Sequence, residues 1–398
     1  MSHPVHVSAT PPAAAAAPHQ LDPLTPAEIQ QVIALVRADS RAGDEPRFWG
    51  IALDEELARQ RPVGSPRPVR LAVMNPAAHT AWEITAWTAA GSAAATLHAW
   101  TPVDSRRPGV SSEEARSVAG AVRADAGVQA ALAARGITDP TKVWVDPESI
   151  TGFEPEDLAD RRLSWATLWY VEGPEDNGYS RPIAGLVPIV DLETLEVVRI
   201  EDHGILPLPP EVGNFTSGTW GPDREVADLA ITQPGGPGFE VDGHLVTWQN
   251  WSFRIGFSHR EGLVLHDILY TDQGRTRSVL RRAAVNEMYV PYLDPDPTAY
   301  RKNFFDWGEY GAGPLTSSLQ LGCDCLGEIR YFDAHAIDGN GEVLTIANGI
   351  CLHEEDDSVL WRHVNTRTGV PEVRRSRKLV ISAFATVANY DYGFYWSL

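Results

Sequence analysis

The most informative segment of this sequence is Thr386-Val387-Ala388-Asn389-Tyr390-Asp391-Tyr392, in which a tyrosine stands between small and polar residues. The aromatic run Phe394-Tyr395-Trp396 follows one residue later. A single tyrosine does not by itself indicate a specific chemistry, and an aromatic run more often packs a β-sheet core than holds a cofactor. Read alone, the segment is therefore only suggestive, and its meaning depends on the motifs that precede it.

Three further motifs precede this segment. The first joins Pro291-Tyr292-Leu293-Asp294-Pro295 to Asn303-Phe304-Phe305-Asp306-Trp307-Gly308-Glu309-Tyr310-Gly311. The others are Leu321-Gly322-Cys323-Asp324-Cys325-Leu326-Gly327 and Asn348-Gly349-Ile350-Cys351-Leu352-His353-Glu354-Glu355-Asp356. In this order the four motifs resemble the copper amine oxidases, whose Thr-x-x-Asn-Tyr-(Asp/Glu)-Tyr signature marks the tyrosine that is converted to topaquinone. The resemblance runs from about Leu21 to Leu398 and covers the front part of a family chain.

The resemblance implies a primary amine oxidase, which converts an amine, dioxygen and water into an aldehyde, ammonia and hydrogen peroxide. This reaction needs an electrophilic carbonyl that no unmodified side chain offers, and the resemblance implies that Tyr390, as topaquinone, is the Schiff-base site. Asp306 is implied as the proton acceptor, because a carboxylate among aromatic residues has a raised pKa and is a stronger base. Tyr292 is implied to orient the quinone. The alternatives are a turn carboxylate for Asp306 and a half-buried strand residue for Tyr292.

The same resemblance implies binding roles around these three residues. Asn389 and Asp391 flank the cofactor position and are expected to bind it. Phe304 occupies the position at which some relatives have a tyrosine that gates the substrate channel. We therefore expect an apolar gating residue that favours aromatic or aliphatic amines. The residues expected to line the substrate channel are Phe304, Phe305, Trp307, Gly308, Glu309, Tyr310, Gly311, Leu315, Val387, Ala388 and Tyr392.

Copper is implied as the second cofactor, but its ligands have no counterpart in this sequence. The family holds copper with a His-x-His pair and a third histidine downstream of the cofactor tyrosine, whereas Asp391 to Leu398 contain no histidine. We therefore assign no metal ligand in this chain. We expect a truncated family member that leaves Tyr390 unmodified and inactive; the alternative is a non-catalytic remnant that binds a partner.

The three cysteines, Cys323, Cys325 and Cys351, are too few for a disulfide scaffold. The Cys-x-Cys spacing is compatible with a soft metal, but no partner set with zinc-finger spacing completes it. The resemblance implies a disulfide between Cys325 and Cys351, with a buried pair of free thiols as the alternative.

A metal-dependent hydrolase that uses the acidic segment beginning at His353, together with His363, is a further alternative. It is disfavoured because the spacing is not His-Glu-x-x-His and no third ligand is placed. Dense carboxylates of this kind usually form a solvated face.

Composition indicates a globular protein of more than one domain, with 43% hydrophobic residues among 398. The net charge of −20 disfavours nucleic acid as a partner and is compatible with a protonated amine. No apolar run reaches the roughly 18 residues that a membrane span requires.

Met1–Gln20 lacks a signal-peptide pattern, so we expect a disordered tail and a cytoplasmic protein. The resemblance implies a homodimer.

The fold class expected is α+β and mainly β: two small cystatin-like α+β domains followed by the start of a large antiparallel β-sandwich catalytic domain. Helices are expected from the capping box Thr25-Pro26-Ala27-Glu28 and from Ser111. Alternating and β-branched patterns predict the strands, which are Phe48–Leu53, Val69–Met74, Ala81–Thr88, Ala93–Trp100, Lys142–Val145, Leu163–Val171, Leu186–Ile200, Val246–Phe257, Gly262–Tyr270 and Leu379–Val387. The expected divisions are a tail at 1–20, domains at 21–104 and 105–210, a linker at 211–238 and the partial sandwich at 239–398.

Overall fold

The computed structural model describes residues 18–88, 94–103, 108–150 and 152–398. Most of the expected tail, residues 1–17, lies outside these ranges, as do Ala93 and the expected boundary between residues 104 and 105. The described elements form two small α+β units followed by a larger unit built almost wholly of strands. Among the helices in these ranges, none is long and apolar enough to span a membrane.

The first unit packs helix α1 (Pro26–Arg37) against a sheet with the strand order β1-β2-β3-β4. The predicted capping box is formed, since the Thr25 hydroxyl accepts the Glu28 N–H at 3.3 Å and the Glu28 carboxylate accepts the Thr25 N–H at 2.9 Å. The apolar stripe of the helix is buried against the sheet. The remaining elements are β1 (Arg47–Leu53), α2 (Glu55–Ala58), β2 (Pro68–Asn75), β3 (Thr80–Trp87) and β4 (Thr96–Val103).

The second unit packs two helices, α3 (Ser112–Ala124) and α4 (Ala126–Ala134), against the sheet β5-β6-β7-β8. The expected single helical region is split because Asp125 is extended (φ −69°, ψ 128°) and caps α4 through the Val128 N–H. The expected strand Leu186–Ile200 is a hairpin that turns near Leu195, where φ is 58°. Its strands are β5 (Val143–Ser149), β6 (Leu163–Tyr170), β7 (Leu186–Asp191) and β8 (Val197–Asp202).

Residues 203–238, all of which are described, contain no helix or strand. This segment includes the linker expected at 211–238. It leads into the third unit, which begins with β9 at Phe239.

The third unit packs a sheet with the order β13-β12-β11-β10-β9 against a second with the order β16-β17-β18-β19. Phe253 and Leu265 of the first sheet share a core with Leu352 and Ile381 of the second, so the expected sandwich class is confirmed. The expected strand Val246–Phe257 is divided by a turn at Gln249. The strands are β9 (Phe239–Asp242), β10 (Leu245–Trp248), β11 (Trp251–Ser258), β12 (Gly262–Asp272), β13 (Arg275–Ala283), β16 (Arg330–Ile337), β17 (Val343–Val364), β18 (Pro371–Val387) and β19 (Tyr390–Ser397).

Between β13 and β16 the chain forms a small two-stranded sheet of β14 (Tyr289–Pro291) and β15 (Asn303–Phe305). The one-turn helix α5 (Asp306–Glu309) follows β15 directly. This excursion lies beside the β18–β19 hairpin, because the Tyr392 hydroxyl of β19 bonds the Asp306 carboxylate of α5 at 2.6 Å.

Candidate active site

Tyr390 stands at the start of β19, immediately after a tight hairpin turn. Val387 of β18 pairs with Tyr390, which leaves Ala388 and Asn389 as the two turn residues. Ala388 has a φ of 50°, the left-handed conformation that such a turn requires at its first central residue. The Thr386 hydroxyl donates to the Asp391 carboxylate at 2.8 Å and braces the turn. Tyr390 remains 47% exposed, so its ring is accessible to a small molecule.

The β14–β15 sheet brings two further residues to Tyr390. Val290 pairs with Phe304 at the centre of this sheet. Tyr292 follows the last residue of β14, and Asp306 follows the last residue of β15. Because the two strands are antiparallel, Tyr292 and Asp306 lie at opposite ends of the sheet, on either side of Phe304. The hydroxyls of Tyr292 and Tyr390 hydrogen-bond to each other. The Tyr292 ring also meets Phe304 edge to face, with 5.8 Å between ring centroids. The predicted orienting residue and cofactor tyrosine are therefore in direct contact.

Asp306 begins α5 and is only 5% exposed. Its N–H donates to the Met288 carbonyl at 3.0 Å, and the Glu287 carboxylate accepts the Trp307 N–H at 3.0 Å. Burial and the negative charge of Glu287 raise the pKa of Asp306, while the hydrogen bond from Tyr392 opposes that shift. The carboxyl is thus a better proton acceptor than an exposed aspartate would be.

The Tyr392 hydroxyl donates to Oδ2 of Asp306 at 2.6 Å. The Tyr392 ring is fixed by Trp307, which meets it edge to face with centroids 5.0 Å apart. Trp307 is itself almost fully buried and lies 5.6 Å from the Phe394 ring. Phe394, the first residue of the aromatic run after the signature, therefore packs in the same core as Trp307 and Tyr392, and this core sets the position of the Asp306 carboxylate.

Two adjoining cavities connect these residues. The smaller, of about 130 Å³, is lined by Val290, Tyr292, Phe304, Asp306, Tyr390 and Tyr392. The larger, of about 410 Å³, shares Tyr292, Phe304, Asp306 and Tyr390 with it. Of the predicted binding residues, the larger cavity adds Tyr310, Leu315, Val387, Ala388 and Asn389. The same cavities are thus lined by the predicted catalytic residues Tyr390 and Asp306 and by the predicted orienting residue Tyr292.

The described linings of these two cavities do not include six residues predicted to bind cofactor or substrate. Phe305 stacks on Tyr289, Trp307 is core, and Asp391 bonds Thr386. Packing accounts for the others: Gly308 lies against Glu287, Gly311 lies against the His259 carbonyl, and Glu309 accepts the Phe305 N–H. Adjacent residues of a one-turn helix point in different directions, so a contiguous motif cannot line one wall.

The second unit supplies cavity residues that sequence reasoning missed. Asp146 and Glu148 of β5, Trp169 and Tyr179 line the larger cavity, as does Lys302 beside β15. The spacing of Asp146 and Glu148 places both on one face of β5, and two carboxylates on one face of a buried strand were a signal available in the sequence.

Cys325 and Cys351 are buried beside each other, and their sulfurs lie within 4.8 Å together with a His353 nitrogen. Both are free thiols, so the structure differs here from the disulfide that the resemblance implies. The Cys351 sulfur also lies 3.3 Å from His353 Nδ1. The two sulfurs are neighbours, and the disulfide itself stays a prediction.

The group Cys325, Cys351 and His353 is the one set of three close potential metal ligands in the described residues. It does not fit the histidine set that the resemblance implies for copper, and none of its members lines either cavity at Tyr390. The described residues therefore do not form that copper site, and no chemical step is assigned to a metal here.

The alternative metal hydrolase site is not assembled either. His353 Nε2 pairs with Glu355 at 3.0 Å, and Glu354 accepts from Trp248 at 2.8 Å. His363 stacks on Trp361, farther along the same strand. Ten residues of extended strand separate His353 from His363 by about 30 Å, so the two histidines cannot share an ion.

Two family models match this chain. Residues 240–398 match the copper amine oxidase enzyme domain, and residues 113–216 match the copper amine oxidase N3 domain. The chain is 42% identical to a primary amine oxidase of Arthrobacter sp. (strain P1), over 96% of this chain and 58% of the relative. It is 38% identical to the peroxisomal N-methylputrescine oxidase 1 of Nicotiana tabacum, over 95% and 54%.

Solved structures show the same likeness. The crystal structure of a copper-containing benzylamine oxidase from Hansenula polymorpha superimposes with a TM-score of 0.80 at 29% identity, covering 96% of this chain and 62% of that one. The chain spans 58% and 54% of the length of the two sequence relatives.

Proposed function

Because this chain belongs to the copper amine oxidase family, we propose that it carries the cofactor tyrosine and the catalytic base of a primary amine oxidase. The reaction is the oxidative deamination of a primary amine by dioxygen and water to an aldehyde, ammonia and hydrogen peroxide. The observation that carries the proposal is the convergence of Tyr390, Tyr292 and Asp306 on one small cavity.

Tyr390 is the proposed precursor of topaquinone, whose carbonyl accepts the substrate nitrogen and whose ring accepts two electrons. The phenol suits this role because it is exposed to the cavity. Its hydroxyl contacts one side chain hydroxyl, that of Tyr292. Tyr292 holds that oxygen in a fixed position, which determines the face and carbon of the ring that a bound amine meets.

Asp306 is the proposed acceptor of the proton on the carbon next to the substrate nitrogen. Its carboxyl lines the same cavity as Tyr390, and burial raises its pKa. The hydroxyl of Tyr392 occupies one carboxylate oxygen at 2.6 Å, which leaves Oδ1 for the proton. Phe304 contributes an apolar ring to the lining of the same cavity.

A second copy of the chain is the proposed partner, as the resemblance implies. The distal part of the β17–β18 hairpin supports this, because it is exposed yet carries a run of large apolar residues. These residues are Val359, Leu360, Trp361, Val364, Val370 and Val373.

The proposal is tested with an extended protein, in which residues 1–398 are joined to the segment of the Arthrobacter primary amine oxidase that follows the position matching Leu398. After aerobic incubation with Cu(II), phenylhydrazine should label the extended protein, and peptide mass mapping should place the label on Tyr390. Tyr390→Phe should remove the label. Tyr395→Phe, which alters an exposed tyrosine of the same strand, is the matched control and should keep it. A label elsewhere, or none, contradicts the proposal and favours a non-catalytic remnant.

A further inference from the structure

We propose that Cys325, Cys351 and His353 form a zinc site in the reduced protein, with two thiolates and one imidazole as ligands. The two sulfurs and one ring nitrogen of the histidine lie within 4.8 Å of one another. All three residues are buried, and none is more than 7% exposed. None of them belongs to the described linings of the cavities at Tyr390, so the inference does not depend on the proposed function.

Two of the three ligands come from the strand β17. Cys351 and His353 are separated by Leu352, and alternate residues of a strand share a face. Leu352 packs into the core of the sandwich, so Cys351 and His353 lie on the opposite face of β17. The strand pairs with β18 without a register shift at these positions. A regular sheet therefore fixes the spacing of these two ligands.

Cys325 belongs to the loop that precedes β16, and backbone hydrogen bonds hold this loop against β17. The Leu319 N–H donates to the Asn348 carbonyl of β17 at 3.1 Å, and the Gly322 N–H donates to the Cys325 carbonyl at 2.9 Å. Cys325 is buried, whereas Cys323 is exposed. The Cys-x-Cys pair therefore supplies one ligand and β17 supplies the others, which explains why no zinc-finger spacing is visible in the sequence.

The spacing of the donor atoms suits a tetrahedral ion. The Cys351 sulfur lies 3.3 Å from Nδ1 of His353. Zn–S bonds of about 2.3 Å and Zn–N bonds of about 2.0–2.1 Å at a tetrahedral angle separate sulfur from nitrogen by about 3.5 Å. Thiolate sulfur and imidazole nitrogen are ligands that zinc prefers. A hydrogen bond between thiol and imidazole gives a similar distance, so the test must separate the two.

Glu355 orients the imidazole. Its Oε1 lies 3.0 Å from Nε2 of His353, and its Oε2 lies 3.1 Å from the Lys378 ammonium. In a neutral ring, an Nε2–H that donates to Glu355 leaves the lone pair on Nδ1, which is the atom beside Cys351. Histidines that bind zinc commonly donate their other N–H to a carboxylate in this way. Glu355 is therefore a positioning residue and not a ligand.

A buried hydroxyl at the same cluster lacks a partner. Tyr331 of β16 pairs with Cys351 and packs against the cluster that contains Cys325 and Cys351. Its hydroxyl meets no hydrogen-bond partner of normal geometry in the described part of the chain, and such orphaned groups are rare in folded proteins. A zinc ion with three protein ligands binds water at its fourth position, and that water would give the hydroxyl a partner.

The site requires reduced thiols, because a disulfide between Cys325 and Cys351 would remove two of the three ligands. The test therefore uses the 398-residue chain without an affinity tag, in oxygen-free buffer with a phosphine reductant. Co(II) is the probe, since thiolate-bound cobalt gives a charge-transfer band in the near ultraviolet. The band should saturate at one equivalent per chain, and Zn(II) should displace the cobalt.

Cys325→Ser and Cys351→Ser should each abolish the band and weaken zinc binding by about 100-fold or more, measured by competition with a chromophoric chelator. Cys323→Ser, which alters the exposed cysteine of the same loop, is the matched control and should keep the band and the affinity. Glu355→Gln should keep the band and weaken zinc binding by about 10–100-fold.

Cobalt binding without the band, or a band that survives in both Cys325→Ser and Cys351→Ser, overturns the site and assigns the 3.3 Å contact to a hydrogen bond. Unchanged zinc affinity in Glu355→Gln overturns the positioning role. Each variant must give the circular dichroism spectrum and melting transition of the unmodified chain. If Cys351→Ser does not, because that position is fully buried, Cys325→Ser decides.

Discussion

The hydroxyl of Tyr392 donates a 2.6 Å hydrogen bond to Oδ2 of Asp306, which joins the strand that carries Tyr390, the proposed cofactor tyrosine, to the helix that carries Asp306, the proposed base. A hydrogen bond to a carboxylate stabilises its charged form. Tyr392 therefore restrains the pKa of Asp306, which burial and Glu287 raise.

Tyr392→Phe should raise the pKa of Asp306 further. Hydrogen bonds to charged groups contribute about 1.5–3 kcal/mol, which corresponds to about one pKa unit or more. Because the base must be ionised, the rising limb of activity against pH in the extended protein should move to higher pH by about that amount. An unchanged limb, or one displaced to lower pH, would show that the hydrogen bond does not act on the base.

Asp146→Asn should flatten the dependence of stability on pH. The pKa of Asp146 is about 6 in the folded chain against an ordinary value of 3.8, so the folded chain binds more protons between these values. Stability contributed by this group is full below about pH 4 and is lost as pH rises through 6.

From pH 4 to pH 7, the unmodified chain should lose about 1–2 kcal/mol more unfolding free energy than Asp146→Asn, after allowance for solvent screening. Urea unfolding at the two pH values measures the difference. Asp160→Asn, at an exposed position, is the control and should behave as the unmodified chain does. Identical pH dependence in Asp146→Asn would contradict the buried environment of this carboxyl.

Cys325 and Cys351 should form a disulfide under oxidising conditions and leave Cys323 free. Both thiols are buried with their sulfurs within 4.8 Å, and a disulfide requires them to approach to about 2.05 Å. Peptide mapping without reduction should recover a joined Cys325–Cys351 peptide. A bridge that contains Cys323, which is exposed, is the contrary outcome.

Residues 1–398 alone should not form quinone. The described linings of the two cavities at Tyr390 contain no histidine, and the one group of three close potential ligands in the described part, Cys325, Cys351 and His353, lines neither cavity. Protein incubated aerobically with Cu(II) should therefore remain colourless. A redox-cycling quinone stain on the denatured chain would refute this expectation.

The sequence predicted the architecture where local patterns are strong. The capping box at Thr25 and the alternating strands of the sandwich depend on neighbouring residues, so they are legible in the chain itself. The proximity of Tyr292, Asp306 and Tyr390 came from the resemblance, because residues nearly one hundred positions apart meet only through tertiary pairing.

What the sequence did not predict depends on long-range packing. Asp146 and Glu148 belong to another unit, and only docking of the second unit against the third places them at Tyr390. The sequence predicts that the residues around Asp306 line the substrate channel together, but the turn of α5 places Trp307 in the core and Gly308 against Glu287. The sequence predicts continuous strands where the structure has hairpins at Leu195 and Gln249, because neither turn contains the glycine that usually marks a positive φ.

The most direct test of the account is the reduction of the extended protein by a primary amine, followed by stopped-flow absorbance, with Asp306→Asn. This substitution keeps the shape of Asp306 and removes its basicity, so amine binding and quinone formation should be normal while reduction slows by about 10²–10⁴-fold. Tyr292→Phe should slow reduction less, since it removes one hydrogen bond of about 0.5–1.5 kcal/mol. Near-normal reduction in Asp306→Asn would contradict the account and place the base elsewhere.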